Sequence, residues 1–580
     1  MGRNVDLEVE IIATFNHQPL EFDAIRNKTR AGPVISVTRL DCLVSNFELK
    51  RHDGSWLGLT NWQAFLSWRE GRNRFGLPQV PAGDYEAIRF LIGVTPEVNR
   101  SNPARYPPDH PLNPSVNGLH WGWQGGYVFL ALEGDWRIEE ESVIRGYSFH
   151  IANDPQRMSV ELPLKATLDG DQVLRLALDA GDIFDGCHRI ELTEMLNSTH
   201  GRTNDTLVGQ LRENIERAFR VEGFVPGRPR ALNASVPRAL ISSNAVPYPF
   251  TMSRFFPRPA LPLDNPLTEQ GVELGRFLFQ EERLSINGSQ SCASCHDLNA
   301  AGADPGRVVS RGAEGRTGTR NAMSLFNLAW KDSFFWDGQA KTLREQVLMP
   351  IQNRSEMHET LASVVAKLRG DKGSNDAVGP HISYPWLFKE AFGSLEINAD
   401  RVARALEQFL LVQVSHHARF DRVLNGELTF TEQEQRGFEL FHTEYDPRRG
   451  LYGADCFHCH GGPIFQNVSF ANNGLDAESK DLGRFQVTGR EGDKGKFAVP
   501  SLRNVAVTGP YMHDGRFKRL EEVVEHYNSG IKRSLTLDPN LSRHPERGLN
   551  LSLSDKRALV AFLKTLTDER FVTERRPQLP

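Results

Sequence analysis

Cysteine is scarce in this chain, six residues in 580. That is far too few for a disulfide scaffold, so position matters more than number. Long apolar runs are missing as well: no stretch approaches the roughly 18 residues of a membrane-spanning helix. Basic charge is not in excess either, since 68 Lys and Arg stand against 73 Asp and Glu, a formal net charge of −5. A nucleic-acid binder needs a basic face to neutralise phosphates, and this balance argues against one. The first ten residues carry no apolar leader, which leaves a cytoplasmic protein or a mature form whose signal has been removed. What is present, 39% hydrophobic and 24% charged residues, is ordinary for a folded protein and too long for a single core.

The first 180 residues read as strands. Val5, Leu7, Val9 and Ile11 alternate with Asp6, Glu8 and Glu10, the period of a half-buried strand. Further strands are expected at 34–49, 84–93, 127–133, 145–151 and 172–178, with Asp53-Gly54 and Asp169-Gly170 as hairpin-type turns. This pattern predicts an all-β, sandwich-like domain over 1–222. It ends in a helical stretch with Leu207, Leu211, Ile215 and Phe219 on one stripe. A proline-rich linker is expected over 223–263. Beyond it the chain turns mainly α, and a unit repeats. Thr268-Glu269-Gln270 leads through Gly275 and Phe279 to Cys292; Thr431-Glu432-Gln433 leads through Gly437 and Phe441 to Cys456. Two cytochrome c-like units, 264–425 and 426–580, are the expectation.

Each repeat ends in the same chemistry. Cys292, Cys295 and His296, and again Cys456, Cys459 and His460, have the spacing Cys-x-x-Cys-His. The thiols of such a motif form thioethers to haem vinyl groups and the adjacent histidine ligates iron. Composition alone would yield about 0.002 such motifs, so two behind a repeated helix point to two c-type haems rather than to zinc or a redox dithiol. Covalent haem implies an extracytoplasmic, periplasmic location. No histidine occurs between Asp297 and Met357, so the first iron has no nearby distal histidine and an open position for a small oxidant such as hydrogen peroxide. In the second unit Leu520, Val523, Val524 and Tyr527 fall at i, i+3, i+4 and i+7, which places Tyr527 on the buried stripe and His526 about 100° off it. Tyr527 is a candidate iron ligand, with Met512, His513 and His526 as alternatives; a plain core tyrosine is the competing reading.

The C-terminal half, 264–580, resembles the di-haem cytochrome c peroxidase and MauG family. Beyond the haem motifs, Trp336 in Phe335-Trp336-Asp337-Gly338 matches the family's tryptophan between the haems. Gln346, Pro350 and Glu356 match its distal pocket; Asn321, Thr508 and Pro510 match its calcium site. Tyr527 stands where ordinary peroxidases place methionine and MauG-type enzymes tyrosine. The resemblance implies that Glu356 moves the peroxide protons, that Gln346 and Pro350 shape the pocket, and that a high-valent di-haem state is shared through Trp336.

The N-terminal half resembles MbnP, the partner protein of the MauG-type enzyme MbnH. The carrying residues run from Asn117 through His120, Trp121 and Trp123 to Tyr127, then Leu132 to Gly134 and Ser148 to His150. The resemblance implies that the di-haem enzyme oxidises a tryptophan of this domain, Trp121 or Trp123, to kynurenine. It also implies copper on imidazoles, with His120 and His150 as first candidates and His17, His110 and His200 behind them. Two departures stand out: the domain keeps only Cys42 and Cys187, enough for one disulfide, and the partners are fused. The expected function is therefore a peroxide-dependent oxidase acting on its own first domain, in cis or in trans. The alternatives are a peroxidase drawing electrons from a small c-type cytochrome, and a copper-binding module that the haem part matures.

Overall fold

The computed structural model describes residues 4–573 apart from 59–61, 122–124, 140, 200–204, 226–238 and 371–382. The principal strands are β1 (Asn4–Phe15), β2 (Arg39–Arg51), β3 (Arg74–Pro81), β4 (Gly83–Ile92), β5 (Val128–Arg137), β6 (Arg145–Ala152), β7 (Met158–Leu168), β8 (Gln172–Asp179) and β9 (Phe219–Val225). They form two sheets. One runs β9-β8-β1 with β3 along the free edge of β1, and the other runs β7-β4-β2-β5-β6. The apolar positions Val5, Leu7, Val9 and Ile11 of β1 are buried as the alternation requires. The other face of β1 is covered too: Glu10 is buried and accepts from Arg74 Nε at 2.9 Å and Arg175 Nε at 2.7 Å, one from each flanking strand.

The turn Asp53-Gly54, with Gly54 at φ +83°, joins β2 to a short antiparallel strand at Trp56–Gly58, as a hairpin should. Asp169-Gly170 does something else. It links β7 to β8, but these strands lie in different sheets, so the turn carries the chain across the sandwich. From there β8 runs parallel to β1, with Leu7 opposite Gln172 and Ile11 opposite Leu176. Two helices, α1 (Ala180–Asp185) and α2 (Thr206–Arg217), follow β8. Leu207, Leu211 and Ile215 of α2 are buried, whereas Phe219 belongs to β9, where pairing with Leu178 of β8 replaces the helical register. Cys42 is buried on β2, Cys187 is exposed after α1, and neither is disulfide-bonded.

The haem half is built on α3 (Glu269–Phe279), α4 (Ala399–Leu411), α5 (Glu432–His442), α6 (Leu520–Glu525) and α7 (Leu553–Lys564). The repeat is physical as well as textual. Thr268 and Thr431 cap α3 and α5 by accepting from Gly271 N at 3.0 Å and Glu434 N at 3.3 Å. Helix α3 packs on α4 and α5 on α7. A Cβ on Gly275 would lie 2.0 Å from Ala405 O, and one on Gly437 2.0 Å from Ala558 O, so each repeated glycine marks a close helix crossing. Among the described residues of 239–263 there is no helix or strand, yet the segment is anchored: Phe256 is fully buried and Pro257 O accepts from Trp330 Nε1 at 2.7 Å. No described helix is long and apolar enough to cross a membrane.

One buried cation ties these parts together. Arg503 is 0% exposed. It donates to both carboxylate oxygens of Asp421 at 2.8 and 2.6 Å and to Pro463 O at 2.9 Å, and its guanidinium lies 4.7 Å from the Phe256 ring centroid. Removing one partner of a buried pair leaves an uncompensated charge, at a cost of about 3–5 kcal/mol. Arg503→Leu should therefore lower the unfolding free energy by that amount, seen as a guanidinium midpoint at lower concentration, and Asp421→Asn/Arg503→Leu should recover part of the loss. An unshifted midpoint in Arg503→Leu would contradict this account.

Candidate functional site

Cys292, Cys295 and His296 follow α3 on a tight turn, Cys292–Ser294. His296 Nδ1 donates to Gly302 O at 2.7 Å. A carbonyl only accepts, so this bond fixes the tautomer and leaves Nε2 as the lone-pair nitrogen. Burial lowers the pKa of His296 and keeps the ring neutral. The second set repeats the arrangement after α5: His460 Nδ1 donates to Pro500 O at 3.1 Å, and burial pushes its pKa down to about 4. Two thiols beside a neutral imidazole whose outer nitrogen is already bonded is a donor set that fits covalent haem.

A cavity of about 1250 Å³ opens beside the first set and is also lined by Trp336, Gln346, Pro350 and Glu356. Burial raises the pKa of Glu356, against a hydrogen bond from Asn353 Nδ2 to its Oε1 at 3.0 Å. A second cavity, about 240 Å³, brings together Cys456, Cys459, His460, Met512, His513 and Tyr527, with Asn321, Thr508 and Pro510 on its wall. Asn321 donates from Nδ2 to Arg307 O at 3.2 Å and Val308 O at 3.0 Å. The uncharged oxygens of Asn321, Thr508 and Pro510 are of the type a hard cation takes alongside water. Trp336 lines both cavities and donates from Nε1 to Asn321 O at 2.9 Å.

Tyr527 sits where α6 widens into a single π-helical turn, His526–Gly530. Its hydroxyl accepts from Asn473 Nδ2 at 3.4 Å, and the same nitrogen lies 3.3 Å from Met512 Sδ. Burial raises the Tyr527 pKa, so the phenolate forms only against a cation. His526 instead donates from Nε2 to Asn473 O at 2.9 Å.

The β domain meets the second haem unit at a pocket of about 100 Å³ lined by His120, Trp121, His150, Trp330, Phe457 and His458. Trp121 packs against the apolar core of the β domain and also against the cluster that contains Phe457, which Cys456 borders as well. The rings of Trp121 and His150 are 6.5 Å apart, and those of His150 and His458 5.4 Å. His150 Nε2 donates to Glu133 Oε1 at 2.8 Å, so a metal would use its other nitrogen or displace that bond. Burial pushes the His120 pKa down to about 4, leaving a neutral imidazole. The remaining histidine candidates are elsewhere. His17 is an exposed partner of Asp179, and His110 stacks on Tyr106 at 4.6 Å. His200 and Trp123 lie outside the described residues.

Two participants have no signal in the sequence. His458 is a variable position of Cys-x-x-Cys, yet it reaches across to the β domain. Lys331 lines both haem cavities, and burial pushes its pKa down to about 8. Its sequence neighbourhood carries no motif, and only the packing of the two units reveals it.

Two Cys-x-x-Cys-His sets on a duplicated helical unit are the donor sets that two c-type haems would take. The family model for di-haem cytochrome c peroxidase matches residues 269–429, and that for MbnP matches 4–201. Methylamine utilization protein MauG of Methylophilus methylotrophus is 36% identical over 53% of this chain and 84% of its own length. Cytochrome c551 peroxidase of Nitrosomonas europaea is 34% identical over 52% of this chain and 80% of its own. A crystal structure described as a MauG-like protein associated with microbial copper homeostasis is 34% identical, covering 57% of this chain and 99% of that one, with a TM-score of 0.49. The chain belongs to the di-haem cytochrome c peroxidase and MauG family, and it is an oxidoreductase carrying an MbnP-type β domain at its N-terminal side.

The shared Asn473 donor allows the two possible oxygen and sulfur ligands of the second haem to be told apart. Tyr527→Phe should change the absorption and EPR spectra of one haem only, while Met512→Leu leaves them as they are. The reverse outcome would assign the ligand to Met512.

Proposed function

We propose that the chain is a peroxide-dependent oxidase whose substrate is Trp121 of its own β domain, which it converts to kynurenine. The observation that carries this reading is the position of Trp121, packed at the domain interface against the cluster that contains Phe457 and that Cys456 also borders. An indole held there needs no diffusion to reach the second haem unit, because the fusion supplies its local concentration. Stoichiometry is simple: two molecules of hydrogen peroxide supply two oxygen atoms and leave as water, and hydrolysis then releases one carbon as formate.

Haem, when bound, supplies the peroxide-reducing redox chemistry. The chain's own groups handle protons and position. Glu356, raised by burial and oriented by Asn353, is suited to take a proton from one peroxide oxygen and return it to the other. Gln346 and Pro350 narrow the same cavity. Trp336, common to both cavities, is the natural link between the two units. His150, backed by Glu133, has its ring 6.5 Å from that of Trp121, and its Nδ1 serves either as acceptor of the proton an oxidised indole loses or as a metal ligand, not both at once. The imidazoles of His120 and His150 suit copper, and the oxygens of Asn321, Thr508 and Pro510 suit calcium. Covalent haem attachment supports a periplasmic setting.

Peptide mass analysis of the haem-loaded protein before and after peroxide tests the reading. Trp121 should acquire the kynurenine mass, and Glu356→Gln should slow this by about 10²–10⁴-fold. Activity that needs the carboxylate should rise with pH through the raised pKa of Glu356, and Glu356→Gln should lose that rise. Gly146→Leu, which would drive a side chain into Pro539 O of the haem half, should keep both haems but undock the β domain and suppress the modification. Rapid peroxide consumption with a reduced c-type cytochrome, and Trp121 left intact, would make the protein a cytochrome c peroxidase instead.

A further inference from the structure

The β domain carries a second group of metal-ligating side chains, remote in sequence from the haem motifs and from the tryptophan pocket. Cys187 and His188 lie in the loop after α1, and Glu213 is on α2. Among the described residues this is the one set of three histidine, cysteine or acidic side chains whose ligand atoms all lie within 4.8 Å of one another. His188 Nε2 donates to Glu213 Oε2 at 2.7 Å.

The loop is held in this shape by a buried residue. Asn214 is 0% exposed and uses both ends of its amide on this loop. Its Oδ1 accepts from Cys187 Sγ at 3.1 Å and from His188 N at 2.9 Å. Its Nδ2 donates to Ile183 O at 2.9 Å and His188 O at 2.7 Å. Gly186 completes the turn: a Cβ there would lie 2.5 Å from Asp182 O and 3.0 Å from Asn214 Oδ1. So the backbone of His188 is fixed to the helix that bears Glu213 by bonds outside its ring, while the Cys187 thiol gives up its bond to Asn214 when it deprotonates onto the ion. Cys187 has no disulfide to enter, since Cys42 is sealed in the core of the second sheet.

We propose that Cys187, His188 and Glu213 form a solvent-open site for a borderline-soft divalent cation of the zinc class. A thiolate, an imidazole and a carboxylate are the three ligand types zinc takes, at about 2.3 Å for sulfur and 2.0–2.2 Å for nitrogen and oxygen. The His188 side chain is 35% exposed and Glu213 47%, so the fourth position belongs to water. Binding releases the thiol proton, and the neutral imidazole keeps one proton by carrying it on Nδ1, which frees the Nε2 lone pair for the ion. Arg212 stands 4.0 Å from Glu213 Oε1, the oxygen that His188 does not use, and leaves Oε2 to the ion.

Alkylation of Cys187 reads the site directly in the haem-loaded protein, where the other accessible cysteines are thioethers and Cys42 is buried. The probe is zinc chloride against a chelator, with the Cys187 peptide followed by mass. Zinc at ten times its dissociation constant should slow alkylation about ten-fold. The double variant His188→Ala/Glu213→Ala should lose that protection while its haem spectra stay as they were. Equal alkylation rates with zinc and with chelator in the unaltered protein would overturn the proposal. Full protection surviving in the double variant would overturn it as well.

Discussion

The molecule is organised around a carboxylate that neither half satisfies alone. Glu133, buried on β5, accepts from Arg39 and His150 within the β domain and from Asn540 Nδ2 of the haem half at 3.3 Å. Burial opposes its charge, but Arg39, His150 and His458 together hold its pKa below the ordinary carboxylate range. Beside it Asp135 accepts from Ser542 Oγ at 3.0 Å, and Gly146 lets the backbone of Pro539 approach β6. Arg448 grips Asp205 with two bonds at 2.9 and 2.8 Å, and Arg69 reaches Asp493 at 2.5 Å. A surface built this way accepts one docking geometry, because a shifted one would strand buried charges at several kcal/mol each. That single geometry is what puts Trp121 beside Phe457 and His458.

Inside the haem half the decisive surface is the wall between the two cavities. Asn321, Lys331, Trp336, Asn473, Phe497 and His513 each face both sides. His513 stacks on Phe497 at 3.7 Å, so the wall combines three aromatic rings with two asparagines and one lysine. Lys331 gives the partition a cation that burial makes easy to discharge.

Much of this was legible in the residues. Chemistry that depends on contiguous spacing could be read directly: the two haem motifs and the repeated helices before them. The stripe through Tyr527 was legible only in part, because a π-helical turn breaks the helical register and buries His526 as well. Strand periodicity located β1 and most of the sheet, since alternation survives in any half-buried strand. Three things were not legible. The Asp169-Gly170 turn has hairpin residues, but its strands find partners in separate sheets, a choice made by non-local pairing. Phe219 continues a helical stripe in sequence and yet joins β9, because Leu178 offers a ladder that the helix cannot. Contacts across the domain interface, His458 above all, follow from the docking of two surfaces and leave no periodic trace in either.

Arg503 sets a limit on how the structure can come apart. Its guanidinium is shared by Asp421 ahead of α5, by Pro463 just beyond the second haem motif, and by Phe256 in the segment that enters the first unit. None of the three can leave without exposing the others to a bare buried charge. Loss of any one of them therefore costs about 3–5 kcal/mol, and the segment that enters the first unit is tied energetically to the loop that follows the second haem motif.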